Sequence, residues 1–138
     1  MYICNLLLSQ SFQLQHSPDS KEFILEELDQ TYAILGDYFK LLFVPFGNAS
    51  TDSDSKTVEC QHGDFECSGN SYEQCSIFLY PNPDAYLPYV SCLASLSNDE
   101  LEEELAYENC AEKASLDWPS IKNCHDNEEL SWKLQLKA

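Results

Sequence analysis

Apolar and polar positions change their period several times along this chain. Phe12-Gln-Leu-Gln alternates apolar with polar and predicts a short strand. Ser17-Pro18-Asp19 then predicts a helix start, with a hydroxyl at the N-cap, proline at the first helical position and an acid in the first turn. That helix is expected to reach about Leu35, with Ile24, Leu28, Thr31 and Leu35 as its inward stripe. Phe23 and Tyr32 flank the stripe, and Gly36 ends the helix. Lys40-Leu-Leu-Phe-Val-Pro is rich in β-formers, is bounded by Pro45 and Gly47, and predicts a buried strand. Strand, helix and strand in this order predict a βαβ unit with a parallel pair.

Residues 48–56 are polar and read as a surface loop, and Thr57-Val58-Glu59-Cys60 as another short strand. From Asp64 the pattern turns helical, with Cys67, Ser71, Cys75, Phe78 and Leu79 spaced for one face. Pro81-Asn-Pro-Asp breaks it and caps a helix over 84–96. Asn98-Asp99 caps a third, acidic helix through about Glu112. Trp118-Pro119-Ser120 opens a short helix toward Cys124, and a last one begins near Asn127.

Composition narrows the classes of function. At 138 residues the chain fits one domain with a core of its own. Its formal charge of −17, with only seven Lys and Arg, makes nucleic acid and an anionic membrane surface poor partners. The acid excess shrinks where carboxylates protonate, which suits an acidic compartment. Residues 1–11 carry a short apolar run with neither a basic n-region nor a clear cleavage site. They read as an atypical N-terminus, compatible with a remnant signal segment and too short to span a bilayer. The domain proper is taken as 12–138.

Seven cysteines lie at 4, 60, 67, 75, 92, 110 and 124, which reads as a disulfide framework in an oxidising compartment, with Cys4 left over. The six after residue 50 allow fifteen pairings, among which sequence does not choose. Asn48-Ala49-Ser50 is a glycosylation sequon, in keeping with secretory passage. Cys60, His62, Cys67 and Cys75 have zinc-ligand chemistry, but their spacing lacks the short CxxC knuckle, so no metal is expected. His62 reads as a hydrogen-bonding histidine, and His16 and His125 as surface residues.

The most informative stretch is Cys60-Gln61-His62-Gly63-Asp64-Phe65-Glu66-Cys67-Ser68-Gly69-Asn70-Ser71-Tyr72-Glu73-Gln74-Cys75. Its CQHG, followed by Glu66-Cys67, Asn70 and Cys75, is similar to the signature of the gamma-interferon-inducible lysosomal thiol reductase (GILT) family. Gln61, His62, Gly63, Glu66 and Asn70 are the motif positions besides the cysteines. Val44-Pro45-Phe46-Gly47-Asn48-Ala49 resembles another family passage, and Cys92, Cys110 and Cys124 fall where further family cysteines are expected. The resemblance covers about residues 12–138.

The resemblance implies an α/β, thioredoxin-like fold with a helical, disulfide-rich insertion, no cofactor, and a CxxC pair at the N-terminus of the first helix. There the helix dipole lowers the first thiol's pKa, and the second cysteine resolves the mixed disulfide. The matching stretch here is Ser17-Pro18-Asp19-Ser20, so both catalytic positions, Ser17 and Ser20, are serine. A serine hydroxyl ionises far above a thiol and cannot cycle through a disulfide. Ser17 reads as a plain N-cap. The resemblance also implies a proline-bearing strand and a final strand–helix pair after the region matching Trp132–Ala138. The C-terminal part of the sheet is therefore expected to be missing, with an unpaired edge.

The expectation is a secreted or lysosomal GILT-family protein, inactive in disulfide reduction and acting by binding. Its partner, a protein or a disulfide-containing protein, is not named by the sequence. The acidic helix and the apolar surface around the missing half are candidate faces. One alternative is a thiol reductase using other cysteines, such as an exposed pair within Cys60–Cys75. Another is a truncated, non-functional product.

Overall fold

A computed structural model describes residues 18–47 and 49–137. The chain enters as helix α1 (Pro18–Glu22), widens into a π-helical segment (Phe23–Leu28), returns to α geometry in α2 (Asp29–Leu35) and closes with a 3₁₀ turn (Gly36–Tyr38). The helix thus ends where Gly36 places its end. Its inward face differs from the expected stripe. The wider π turn carries that face from Ile24 to Leu28 and on to Tyr32, every fourth residue. Thr31 and Leu35 rotate outward, leaving Leu35 46% exposed. Ile24 and Leu28 pack with Phe43, Tyr86, Leu87, Val90 and Ala94 into one of two core clusters, and Phe23 and Tyr32 lie against it.

Residues 40–44 run without regular pairing among the described residues, and Pro45 forms only an isolated bridge. The expected parallel partner at 12–15 lies outside the described residues. The sheet that is described is an antiparallel hairpin of β1 (Ser50–Asp52) and β2 (Thr57–Glu59), with Ser50 opposite Glu59. The stretch 48–56 is thus not all loop. Its turn is set by Asp52 Oδ1, which accepts the backbone N–H groups of Asp54 (2.9 Å) and Ser55 (3.4 Å). Those bonds hold the Asp52 carboxyl below the usual carboxylate range.

Helix α3 (Asp64–Leu79) is the centre of the molecule, packed by α4, α7 and α8. Residues 69–76 are buried on every side, including Asn70, Ser71, Glu73, Gln74 and Ser76. Part of this polar surface is satisfied inside the fold. Ser71 Oγ lies 2.8 Å from Ser131 Oγ, Ser76 Oγ donates to the Glu73 carbonyl (2.7 Å), and the amide nitrogens of Asn70 and Gln74 donate to backbone carbonyls. The expected face holds for Ser71 and Cys75 and fails at the last turn, where Phe78 is 52% exposed. Burial there passes to Ile77, which packs on the cluster around Tyr86.

The remaining helices start at recognisable caps. Asn82 accepts the Asp84 N–H (3.1 Å) and starts α4 (Pro83–Ala94) with Pro83 in its first turn. Ser97, rather than Asn98-Asp99, caps α5 (Asn98–Leu101) through a capping box with Glu100. The single acidic helix expected through Glu112 is interrupted, and α6 (Glu104–Lys113) starts anew. The break lets buried Leu101 and Tyr107 share one core, and the Tyr107 hydroxyl donates to the Leu101 carbonyl (3.0 Å). Asp117 caps α7 (Trp118–Asp126), and Asn127 caps α8 (Glu128–Gln135).

Three disulfides fasten this bundle. Cys75–Cys124 ties α3 to α7, Cys92–Cys110 ties α4 to α6, and Cys60–Cys67 closes the connection from β2 into α3. The larger core cluster surrounds the two inner bridges with Tyr72, Tyr89, Leu93, Tyr107, Trp118 and Ile121. The described chain is a mostly helical, disulfide-rich α/β domain.

Candidate functional site

Ser20, one of the two positions expected from the resemblance to match a CxxC, is a buried serine of α1. Ser17 lies outside the described residues, as do His16, Cys4 and the sequon residue Asn48. Next to Ser20, Lys21 Nζ donates to the Leu96 carbonyl (2.5 Å) and to Asn98 Oδ1 (3.1 Å), tying the first helix to the α4–α5 connection. Partial burial lowers its pKa, against an opposing pull from Glu100.

The CQHG loop sits at the entry to α3. Gly63 adopts φ +98°, a left-handed conformation that costs glycine little and lets the chain turn sharply into the helix. The Glu66 carboxylate in the first helical turn is 1% exposed and reaches back to this loop. Its Oε2 accepts the His62 backbone N–H (2.7 Å) and lies 3.1 Å from His62 Nδ1. An acid in the first turn also suits the helix dipole. Gln61 is exposed on the same loop. One turn further along α3, Asn70 Nδ2 donates to the Phe46 carbonyl (3.4 Å), and one turn beyond that Gln74 Nε2 donates to the Pro45 carbonyl (2.6 Å). The two sequence passages that carry the family resemblance are therefore bonded to each other.

The cysteines differ in access. Cys75 and Cys124 are 0% and 5% exposed, and Cys110 is 1% exposed. Cys60 and Cys67 are both half-buried, and Cys67 borders a recess of about 310 Å³ between the hairpin, α3, α7 and α8. With Cys60 and Cys67 joined to each other and Cys75 joined to Cys124, these sulfurs are not free thiolates for zinc. Among the described residues no three His, Cys, Asp or Glu side chains converge on a metal position.

The same recess contains a hydrogen-bonded chain that the sequence did not disclose. His125 Nδ1 is 2.9 Å from Ser71 Oγ, Ser71 Oγ is 2.8 Å from Ser131 Oγ, and Gln135 Nε2 donates to Ser131 Oγ (3.2 Å). His125 is not a plain surface residue. It follows Ile121 by one helical turn on the inward face of α7 and stacks on Tyr72, with ring centroids 3.8 Å apart. Burial lowers its pKa, with Asp126 and Glu104 pulling the other way and Lys122 adding to the decrease. Tyr72 is pushed up to about 12, first by burial and then by Glu104, to which its hydroxyl donates (3.4 Å). The spacing of Cys67, Ser71 and Cys75 placed Ser71 on the correct face. Its partners come from helices more than fifty residues away, and no local pattern marks them.

A helical core stapled by three disulfides, with a CQHG loop closed by one of them, defines a small cysteine-framework domain. The family model described as gamma interferon inducible lysosomal thiol reductase (GILT) matches residues 12–114, and the chain belongs to that family. It is similar to the gamma-interferon-responsive lysosomal thiol protein of Arabidopsis thaliana, with 32% identity over 120 residues, covering 86% of this chain and 47% of the relative. It is similar to the gamma-interferon-inducible lysosomal thiol reductase of Carassius auratus, with 36% identity over 80 residues, covering 56% and 31%. GILT-like protein 2 of Drosophila melanogaster matches at 32% identity over 91 residues, covering 66% and 40%. The chain spans less than half the length of these relatives. No helix among the described residues is long and apolar enough to cross a membrane.

Proposed function

We propose that this GILT-family chain is silent in disulfide reduction by the CxxC route and acts by binding a protein or a disulfide-containing protein. The observation that carries this reading is the serine pair. Ser17 and Ser20 stand at the two reactive positions, and the described position, Ser20, is a buried hydroxyl on α1. A hydroxyl supplies neither an attacking thiolate nor a resolving thiol. The six cysteines of the described residues are all engaged in disulfides. Support for binding comes from large apolar side chains left exposed between 34 and 42, where Ile34 is 75%, Tyr38 73% and Leu42 51% exposed. The disulfide framework favours a secreted or lysosomal setting, with Asn48 as a glycan acceptor. A thioredoxin-like arrangement is the fold this reading assumes.

The test is turnover of a protein disulfide by the full chain, with a small thiol as electron donor, near pH 4.5 and near pH 7. The unaltered chain is expected to add nothing to the thiol's own rate, and Ser17→Cys/Ser20→Cys together to raise it. Turnover by the unaltered chain would overturn the reading. A second reading, reduction through another pair, is favoured by the access to Cys60–Cys67. It requires turnover that disappears in Cys60→Ala/Cys67→Ala.

A further inference from the structure

Cys60–Cys67 is the one disulfide of the three whose two residues are both partly exposed. Cys67 and Ser71 stand one turn apart on α3, so the sulfur and the Ser71–His125 pair border the same recess. That recess also contains Lys56 from the hairpin turn and Glu128 from the start of α8, both exposed. A cation and an acid at one rim complement a molecule carrying both a carboxylate and an ammonium group. A space of about 310 Å³ lies at the small end of ligand sites and suits a molecule of amino-acid size. Ser71 and Ser131 are buried, so the polar floor is fixed by the fold.

We propose that this recess binds a small zwitterionic thiol and presents it to Cys67 Sγ, opening the Cys60–Cys67 disulfide by exchange. The thiol's proton passes to the His125–Ser71 pair, and the thiolate attacks Cys67 Sγ. A sulfur–sulfur bond forms between the small thiol and Cys67 while the Cys60–Cys67 bond breaks. The electron pair leaves on Cys60 Sγ, which takes up a proton. One thiol and one disulfide become one mixed disulfide and one thiol, with no net oxidation. A second equivalent of the same thiol reduces the mixed disulfide and is released as its own symmetrical disulfide. Burial disfavours the imidazolium, so His125 is neutral before the exchange and holds the thiol's proton only transiently. Opening the bridge removes the covalent closure of the loop and leaves the Glu66–His62 contact and the Gly63 N–H to Cys60 carbonyl bond (3.3 Å) among its remaining ties.

The inference shares its site with the second reading above but needs no turnover. The unreduced full chain is incubated with cysteine, cysteamine or 3-mercaptopropionate at equal thiolate concentration, trapped by alkylation and mapped by peptide mass spectrometry. The expected result is an adduct on Cys67 with Cys60 alkylated, while Cys75–Cys124 and Cys92–Cys110 stay closed. Cysteine should react about two- to fivefold faster than either singly charged thiol, the range of an exposed charge contact. Lys56→Ala should erase the preference over cysteamine, and Glu128→Gln the preference over 3-mercaptopropionate. Both residues are exposed, so neither variant endangers the fold. An adduct on Cys60 or on another bridge, or equal rates for the three thiols, would overturn the proposal. Adduct formation without turnover supports it and counts only against the reductase reading.

Discussion

Removing Cys75 and Cys124 together, as Cys75→Ala/Cys124→Ala, tests the reading of α3 as the helix on which the domain is assembled. The bridge spans 49 positions, whereas Cys60–Cys67 spans seven. In the chain-entropy account, a loop of that larger size constrains the unfolded chain by about 4 kcal/mol, and the smaller by about 2.5 kcal/mol. Cys75 and Cys124 are also core residues at 0% and 5% exposure, so losing two sulfurs leaves voids among Tyr72, Tyr89 and Ile121. About 1 kcal/mol or more is added for that. The inner pair should therefore cost about 5 kcal/mol, a large part of the stability of a domain this size. The outer pair, as Cys60→Ala/Cys67→Ala, should cost about half as much. Guanidinium unfolding followed by circular dichroism, without reductant, reads both. Equal losses, or a greater loss for the outer pair, would refute the argument, because loop length and burial would then not govern these staples.

Glu66→Ala should cost about 2–3 kcal/mol, since it leaves the His62 N–H without its buried acceptor, while Glu66→Gln keeps one acceptor oxygen and should cost less. Chemical denaturation of both variants checks the order, and a larger loss for Gln would contradict the contact. His125 predicts a pH dependence. Its folded-state pKa lies below the ordinary value of about 6.5, so the unfolded chain takes up the proton first. The resulting stability is present above that ordinary value and is lost as pH falls through the folded-state pKa. His125→Gln should flatten this slope in urea titrations between about pH 5 and about pH 7, and an unchanged slope would remove His125 as its source.

Much of the helical framework was legible because caps are local. Pro18, Asn82-Pro83 and Asn127 mark helix starts by chemistry within one turn, and Gly36 marks an end. The cap was assigned to Asn98-Asp99 in place of Ser97, although the spacing from Ser97 to Glu100 carried the capping-box signal. The stripe at Thr31 and Leu35 failed because a π segment changes the period within a helix, and nothing in Phe23–Leu28 announces it. The buried polar helix α3 hid its role for a different reason. Periodicity located the helix from Asp64, but it could not show burial on every side, because the interior contacts are made by Asn70, Ser71, Gln74 and their distant partners. The CQHG loop was legible as a motif, but its geometry, a positive-φ glycine followed by a reaching carboxylate, was not.

The bonds from Asn70 and Gln74 to Phe46 and Pro45 have a consequence for how this chain relates to others. Two stretches more than twenty residues apart in sequence behave as one mechanical part, so neither can drift without straining the other. The amide side chains of Asn70 and Gln74 act there as struts between a helix and a loop. Kinship read from such a signature therefore measures shared architecture, and the chemistry carried out on that architecture has to be measured separately.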